Sequence, residues 1–238
     1  MKSKFDQLES IVSDQRKGIS QPPLEKPYDP SQPVFDLPQV SGEILGQRDL
    51  YTCLRERRSL RRYGDGDMNL HQLSFLLWAT QGVDKVVGKE NKTTFRPVPS
   101  GGARHPLETY LVINRVEGLE RGIYRYLPLE HKLLLISKGD YSDELVEAVH
   151  GQSFLSGSAV VFIWSAIPYR SEWRYDIAAH KMILLDAGHV CQNLYLACEA
   201  IGYGTCAVAD FVQDKLDQFI GVDGKEEFAL YVAPVGKK

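Results

Sequence analysis

The stretch that most constrains this chain runs from residue 177 to residue 201. Its apolar residues recur at helical spacing, with Ile183, Ala187, Val190, Leu194, Ala197 and Ile201 on one face. The other faces are also largely apolar, at Met182, Leu184, Leu185, Cys191 and Leu196. A helix that is apolar nearly all round must be covered nearly all round. The stretch therefore predicts a long central helix stopped by Gly202. One domain of this size covers such a helix poorly, so a homodimer is expected.

Other elements arrange themselves about that helix. One helix is predicted over residues 47–58 and another from an Asn69 cap to Gln81, with Leu70, Leu73, Leu77 and Trp78 on its buried face. Residues 109–113 read as a buried strand. Residues 122–127 and 132–136 read as a hairpin around Pro128, Leu129 and Glu130, and residues 159–167 and 228–235 as two further strands. Helices and strands do not alternate strictly, which predicts an α+β fold: a mostly antiparallel central sheet flanked by helices. Ahead of this body, Pro22, Pro23, Pro27, Pro30, Pro33 and Pro38 forbid a continuous helix or a central strand. Residues 1–46 are expected to form an arm lying over the body or over a partner, or else a loosely ordered tail. Residues 47–238 are expected to form the folded domain.

Several function classes are disfavoured. A net charge of -3 offers no footprint for nucleic acid. Residues 1–18 are charged with no apolar core, so no secretory signal is expected, and no apolar run is long enough to predict a membrane helix. Cys53, Cys191, Cys198 and Cys206 show no C-x-x-C spacing, which suits a reduced, cytoplasmic setting. The histidines are scattered without metal-ligand spacing, and His189 on the long helix is expected to be a satisfied core histidine.

Three clusters could carry chemistry. Arg57-Arg58-Ser59-Leu60-Arg61-Arg62-Tyr63 combines guanidinium forks with a hydroxyl, the donor set a phosphate needs. Taken alone it reads at least as well as a solvated basic run. The second cluster, Arg96 to Pro106, holds Pro99-Ser100-Gly101-Gly102-Ala103, where glycines let backbone approach a flat ligand, although a plain turn would have the same composition. It is neither a Walker loop nor a dinucleotide fingerprint. The third is Gly202-Tyr203-Gly204-Thr205-Cys206 after the long helix, followed by the closing Pro234-Val235-Gly236-Lys237-Lys238.

In this order R-R-S-x-R, P-S-G-G-A, the D-A-G-H-x-x-Q-N helix (Asp186 to Asn193), G-Y-G-T and P-V-G-K resemble the nitroreductase superfamily. The R-x-x-P-S-G-G-A form is similar to its SagB-type dehydrogenase branch. The resemblance covers residues 49–238. It implies a homodimeric FMN-binding fold in which Arg57, Arg58 and Ser59 hold the flavin phosphate and ribityl chain. Lys237 would join the phosphate, with Lys238 a possible substitute. Arg61 would lie by the pyrimidine edge of the ring, tuning its reduction. Pro99, Ser100 and Gly101 would reach the flavin of the partner subunit, and the backbone of Tyr203 and Gly204 would face the ring. Tyr175 is the expected group on the substrate side. Where the branch often has Lys-Tyr this chain has Arg174-Tyr175, and arginine is a poor base.

The implied activity is hydride transfer from NAD(P)H through FMN to a nitro, quinone or similar small acceptor, by a ping-pong mechanism. Two alternatives remain open. One is a dehydrogenase acting on thiazoline or oxazoline rings of a modified peptide, and the other is a non-catalytic flavin-binding subunit of a peptide-modifying complex.

Overall fold

The computed structural model of the protein describes residues 12–46 and 48–238. Local signals place the first two helices. Asp49 accepts from the Thr52 amide at 2.7 Å and opens α1 (Leu50–Glu56). Asn69 and Gln72 exchange side-chain-to-backbone hydrogen bonds of 2.9 and 3.0 Å, a full capping box at the start of α2 (Leu70–Gln81). The helix expected over residues 47–58 is therefore shorter, and Gln47 lies outside the described residues. It stops because Arg57 turns to an extended ψ of 124° and the Leu60 amide donates to the Thr205 carbonyl at 2.9 Å. Pairing with a distant strand outweighs continuation of the helix.

Seven strands form one sheet: β1 (Val34–Asp36), β4 (Leu107–Ile113), β5 (Gly122–Leu127), β6 (Lys132–Lys138), β7 (Val160–Ala166), β8 (Tyr203–Thr205) and β9 (Phe228–Lys237). Their order is β1-β6-β5-β4-β7-β9-β8, and every neighbouring pair is antiparallel. The expected α+β class with an antiparallel sheet is what the fold shows. A small hairpin, β2 (Lys85–Val87) and β3 (Thr93–Phe95), stands apart from it.

Alternation along the strands divides the core in two. On one face Leu111, Ile113, Phe162 and Trp164 pack against α2 and the long helix α5 (Ala179–Ala200), through Leu73, Leu76, Leu77, Ile183, Ala187, Val190 and Leu194. On the other face Tyr110, Val112, Val161, Ile163 and Val232 pack against α3 (Ser142–Ala148) and α6 (Gln213–Ile220), through Leu145, Ala148, Leu216 and Ile220. Neither short helix is foreseen in the sequence, because seven or eight residues make only about two turns, too few for a periodicity count. The same holds for α4 (Tyr169–Tyr175), for β1, β8 and the β2–β3 hairpin.

The long helix begins at Ala179 rather than residue 177. Asp176, at φ +49°, breaks the chain after α4, and one 3-10 turn intervenes. Gly202, at φ +75°, ends the last turn, with its amide donating to the Glu199 carbonyl. Two corrections concern the surface of this helix. His189 is exposed rather than held in the core, and Leu184 and Leu185 are 63% and 53% exposed. One chain leaves part of the apolar girdle bare.

From residue 12 onward the proline-rich segment lies over the body of its own chain. The Gln15 amide donates to the Trp173 carbonyl, the Trp173 indole donates to the Ile19 carbonyl, and Arg125 donates to the Lys26 carbonyl. Lys26 itself reaches Glu227, which also accepts from Tyr110 and Ser165.

Candidate functional site

The basic segment is laid directly on the edge of the sheet. Ser59 bridges in parallel to Thr205 of β8, and its hydroxyl lies 3.0 Å from that of Tyr195 on α5. The same Tyr195 hydroxyl accepts from the Ala207 amide at 2.8 Å, and the Arg57 guanidinium stacks 5.1 Å from its ring centre. One tyrosine thus ties Arg57, Ser59 and the turn after β8 together. Such close apposition needs Gly204, because a Cβ there would sit 2.6 Å from the Leu60 side chain. The Tyr203 side chain points inward, its hydroxyl donating toward Gln72 and the Asp67 carbonyl, so only its backbone is left to a ligand.

At the far end of β9 the two lysines have opposite fates. The Gly64 amide donates to the Lys237 carbonyl, and the Lys237 side chain is exposed beside Gly66. Lys238 instead reaches inward to Glu199, a carboxylate 2% exposed that also accepts from Arg48 at 2.6 Å. If Lys238 turned to substitute for Lys237, the buried Glu199 would keep Arg48 as its remaining ion-pair partner and lose the lysine's contacts to both carboxylate oxygens.

Arg57, Arg58, Arg61, Arg62 and Lys237 make no ion pair with any carboxylate among the described residues. Arg58 turns back to the carbonyls of Arg55 and Arg57. Arg61 lies apart from Tyr195, 6.0 Å from the ring of Phe154, which packs against the second core. Thr205 Oγ1 is buried without a partner at the same bridge.

The Pro-Ser-Gly loop is held by a residue to which the sequence assigns no role. Asp186, on the buried face of α5, accepts from the Ser100 hydroxyl at 2.6 Å and from the Gly101 amide at 3.0 Å. The Ser100 oxygen in turn accepts from the His105 amide at 2.9 Å. Burial raises the Asp186 pKa, while the two donors pull it back. An acid in mid-helix among apolar neighbours was the available signal. Gly102, at φ +60°, lies against the Tyr175 hydroxyl, which would stand 2.2 Å from a Cβ placed there. Pro99 is exposed, and Ser100 and Gly101 are half-buried.

Within one chain most of the predicted residues, Arg58 and Arg61 aside, fall into two groups. Arg57, Ser59, Tyr203, Gly204 and Lys237 gather about β8 and β9, while Pro99, Ser100, Gly101 and Tyr175 gather at the N-terminal half of α5. A groove of about 560 Å³ near the second group is lined by Pro168, Glu172, His180, Leu184 and Phe228, and by none of the predicted residues.

Burial works against thiolate formation at Cys53, Cys191 and Cys198, so none of these three is poised as a nucleophile. Burial pushes the Cys191 thiol up to about 12 and Cys198 well above its ordinary value. Among the described residues no His, Cys, Asp and Glu cluster could hold a metal, and no helix is long and apolar enough to cross a membrane.

The nitroreductase family profile matches residues 54–237. A Methanocaldococcus jannaschii protein, provisionally named a nitroreductase, is 33% identical over 203 residues, covering 85% of this chain and 98% of the relative. The microcin B17-processing protein McbC of Escherichia coli is 25% identical over 142 residues, covering 58% of this chain but only 52% of McbC. Among solved structures, one from Anabaena variabilis, also provisionally named a nitroreductase, superposes with a TM-score of 0.75 at 25% identity, covering 97% of this chain and 43% of the other. Another, from Desulfovibrio desulfuricans and determined in complex with FMN, shares the fold at 15% identity, with a TM-score of 0.55 and coverage of 80% and 87%. With a profile spanning most of its residues and a relative above 30% identity over 85% of this chain and 98% of its own, the protein belongs to the nitroreductase family of oxidoreductases.

Proposed function

We propose that the protein is an FMN-dependent reductase that passes electrons from NAD(P)H to a small nitro, quinone or similar acceptor. The observation that carries this reading is the unneutralised basic surface at Arg57 and Lys237 around the strand edge where Ser59 bridges to Thr205. Uncompensated cations beside the Ser59 hydroxyl, which Tyr195 holds in place, suit a terminal phosphate, and each charge-assisted bond contributes roughly 1.5–3 kcal/mol. The unpartnered Thr205 hydroxyl at the same place fits a polar ligand. Bound FMN would supply the two-electron chemistry, taking a hydride from the nicotinamide and giving it to the acceptor.

The chain's own residues would bind, orient and tune. Arg57, Ser59 and Lys237 hold the phosphate end, with Arg58 beside them, and the backbone of Tyr203 and Gly204 faces the ring. Arg61 is assigned to the N1–O2 edge, where a fixed positive charge stabilises the reduced cofactor. Its present contact with Phe154 requires the side chain to swing for that role. Pro99, Ser100 and Gly101 contribute to the flavin site of a second copy. The separation of the two residue groups within one chain supports this arrangement. So do exposed Leu184 and Leu185, which a homodimer would cover. Tyr175 stands at the substrate side.

A second reading, oxidation of azoline rings in a modified peptide, is favoured by the similarity to McbC. It needs a base to take a proton as hydride leaves, and Arg174 is poorly suited to that. Anaerobic mixing with NADH and NADPH, followed by nitro and quinone acceptors, tests the main reading. Bleaching of a yellow protein and reoxidation by an acceptor are expected. A purified protein that carries no flavin, or whose flavin neither nucleotide reduces, overturns it.

A further inference from the structure

We propose that Arg174, backed by Arg104, forms an oxyanion-recognition subsite beside Tyr175, so that the preferred acceptor carries a carboxylate or similar anionic group. The inference rests on the reading that an acceptor enters on the Tyr175 side. Arg174 is exposed at the end of α4, its guanidinium 5.5 Å from the centre of the Tyr175 ring. Arg104 lies beneath, 6% exposed, 5.5 Å from the ring of Trp173 on the same helix, and its Nε donates to the Gly102 carbonyl at 3.1 Å. Gly102 is the residue against which the Tyr175 hydroxyl rests. Arg104, Gly102, Tyr175 and Arg174 are thus one contiguous patch.

No acid neutralises that patch among the described residues. The Arg104 pKa is pulled down first by burial and then by the charge of Arg174, opposed only by Tyr175. The nearby acids are committed elsewhere. Glu172 accepts from or pairs with His180 at 2.7 Å, Asp176 accepts from the Ile177 amide at 2.7 Å, and Asp186 holds Ser100 and Gly101. Two like charges are held together by the aromatic faces they lie over, and an arriving oxyanion would relieve their repulsion. Arg174 keeps its donor fork free for a bidentate contact, with the Tyr175 ring as a platform for the flat body of the acceptor. Arg104 acts behind it as a fixed charge and a brace for the loop.

The test compares 4-nitrobenzoate with 4-nitrobenzamide, which match in shape and differ in charge. Equilibrium binding to the flavin-loaded protein is measured by calorimetry, and both compounds are then used as acceptors. The parent should bind the benzoate about tenfold or more tightly, as one charge-assisted contact implies, and less so as salt rises. Arg174→Gln should bring the two affinities within about twofold, and Arg174→Lys should keep part of the preference. Arg174 is exposed, so these variants are expected to fold; Arg104→Gln is a second arm, read alongside circular dichroism. Equal affinities in the parent, a preference that survives Arg174→Gln, or no binding of either compound overturns the subsite. A parallel comparison of adenosine 2′-phosphate with adenosine separates acceptor from donor: a preference confined to the nucleotide overturns the assignment to the acceptor. If the benzoate preference is present and lost in Arg174→Gln while neither compound reoxidises the flavin, the subsite stands and the reductase reading fails.

Discussion

Removing the Asp186 carboxylate should loosen the Pro-Ser-Gly loop while leaving the rest of the fold in place. Asp186→Ala deletes the acceptor for the Ser100 hydroxyl, at 2.6 Å, and for the Gly101 amide, at 3.0 Å. Each charge-assisted hydrogen bond contributes roughly 1.5–3 kcal/mol net. The carboxylate is itself buried, and burial is the largest influence raising its pKa, so the low end of that range applies. The pair together then contributes about 3 kcal/mol. An unfolding entropy of about 2.1 cal/mol/K per residue amounts to roughly 0.5 kcal/mol/K for a chain of this length, so Tm should fall by about 6 °C. Asp186→Asn keeps one acceptor oxygen and should lose about half as much. Thermal unfolding followed by circular dichroism at one fixed protein concentration measures both, since association would otherwise shift Tm. A drop of less than about 2 °C for the alanine variant, below that expected from even one such bond, would show that the loop is held by something other than Asp186.

Other expectations follow from the same geometry. Gly102→Ala must accept φ +60° and place a methyl group against the Tyr175 hydroxyl, so a loss of about 1–2 kcal/mol from the backbone alone, with altered acceptor turnover, should appear in urea unfolding and steady-state assays. Arg57→Ala should weaken FMN retention about tenfold or more, read by flavin release on dilution, while its circular dichroism stays normal. Burial, reinforced by Arg96, depresses the His105 pKa from 6.5 to about 3. Between those values the unfolded chain binds the proton and the folded chain does not, so stability is lost as pH falls from 6.5 towards 3. His105→Asn should flatten that part of a plot of urea midpoint against pH; an unaltered slope between pH values of about 6 and 4 would show that the imidazole is not buried neutral.

Much of the fold is legible in the sequence because it is locally determined. Asn69 with Gln72 writes a capping box within four residues, Gly202 supplies the positive φ that ends the long helix, and the apolar runs of β4, β7 and β9 can only be buried strands. The five ordered motifs carry the family in the same way, since their order does not depend on knowing any contact. Periodicity tells which residues need cover but never which partner supplies it. Asp186 and Ser100 are 86 residues apart, and nothing local to either announces that they meet. The end of α1 was beyond local reading because Leu60 is drawn off by Thr205. Lys237 and Lys238 look interchangeable as letters, yet Lys237 closes β9 with its side chain unpaired, while Lys238, one residue past the strand, is drawn to the buried Glu199. His189 follows the same logic on a helix: next to Val190 in sequence, it is rotated about 100° from it and out of the core. Short-range chemistry determines the elements, whereas the charges that remain unpaired at Arg57, Lys237 and Arg174 are decided only when the packed fold assigns every buried acid to another partner.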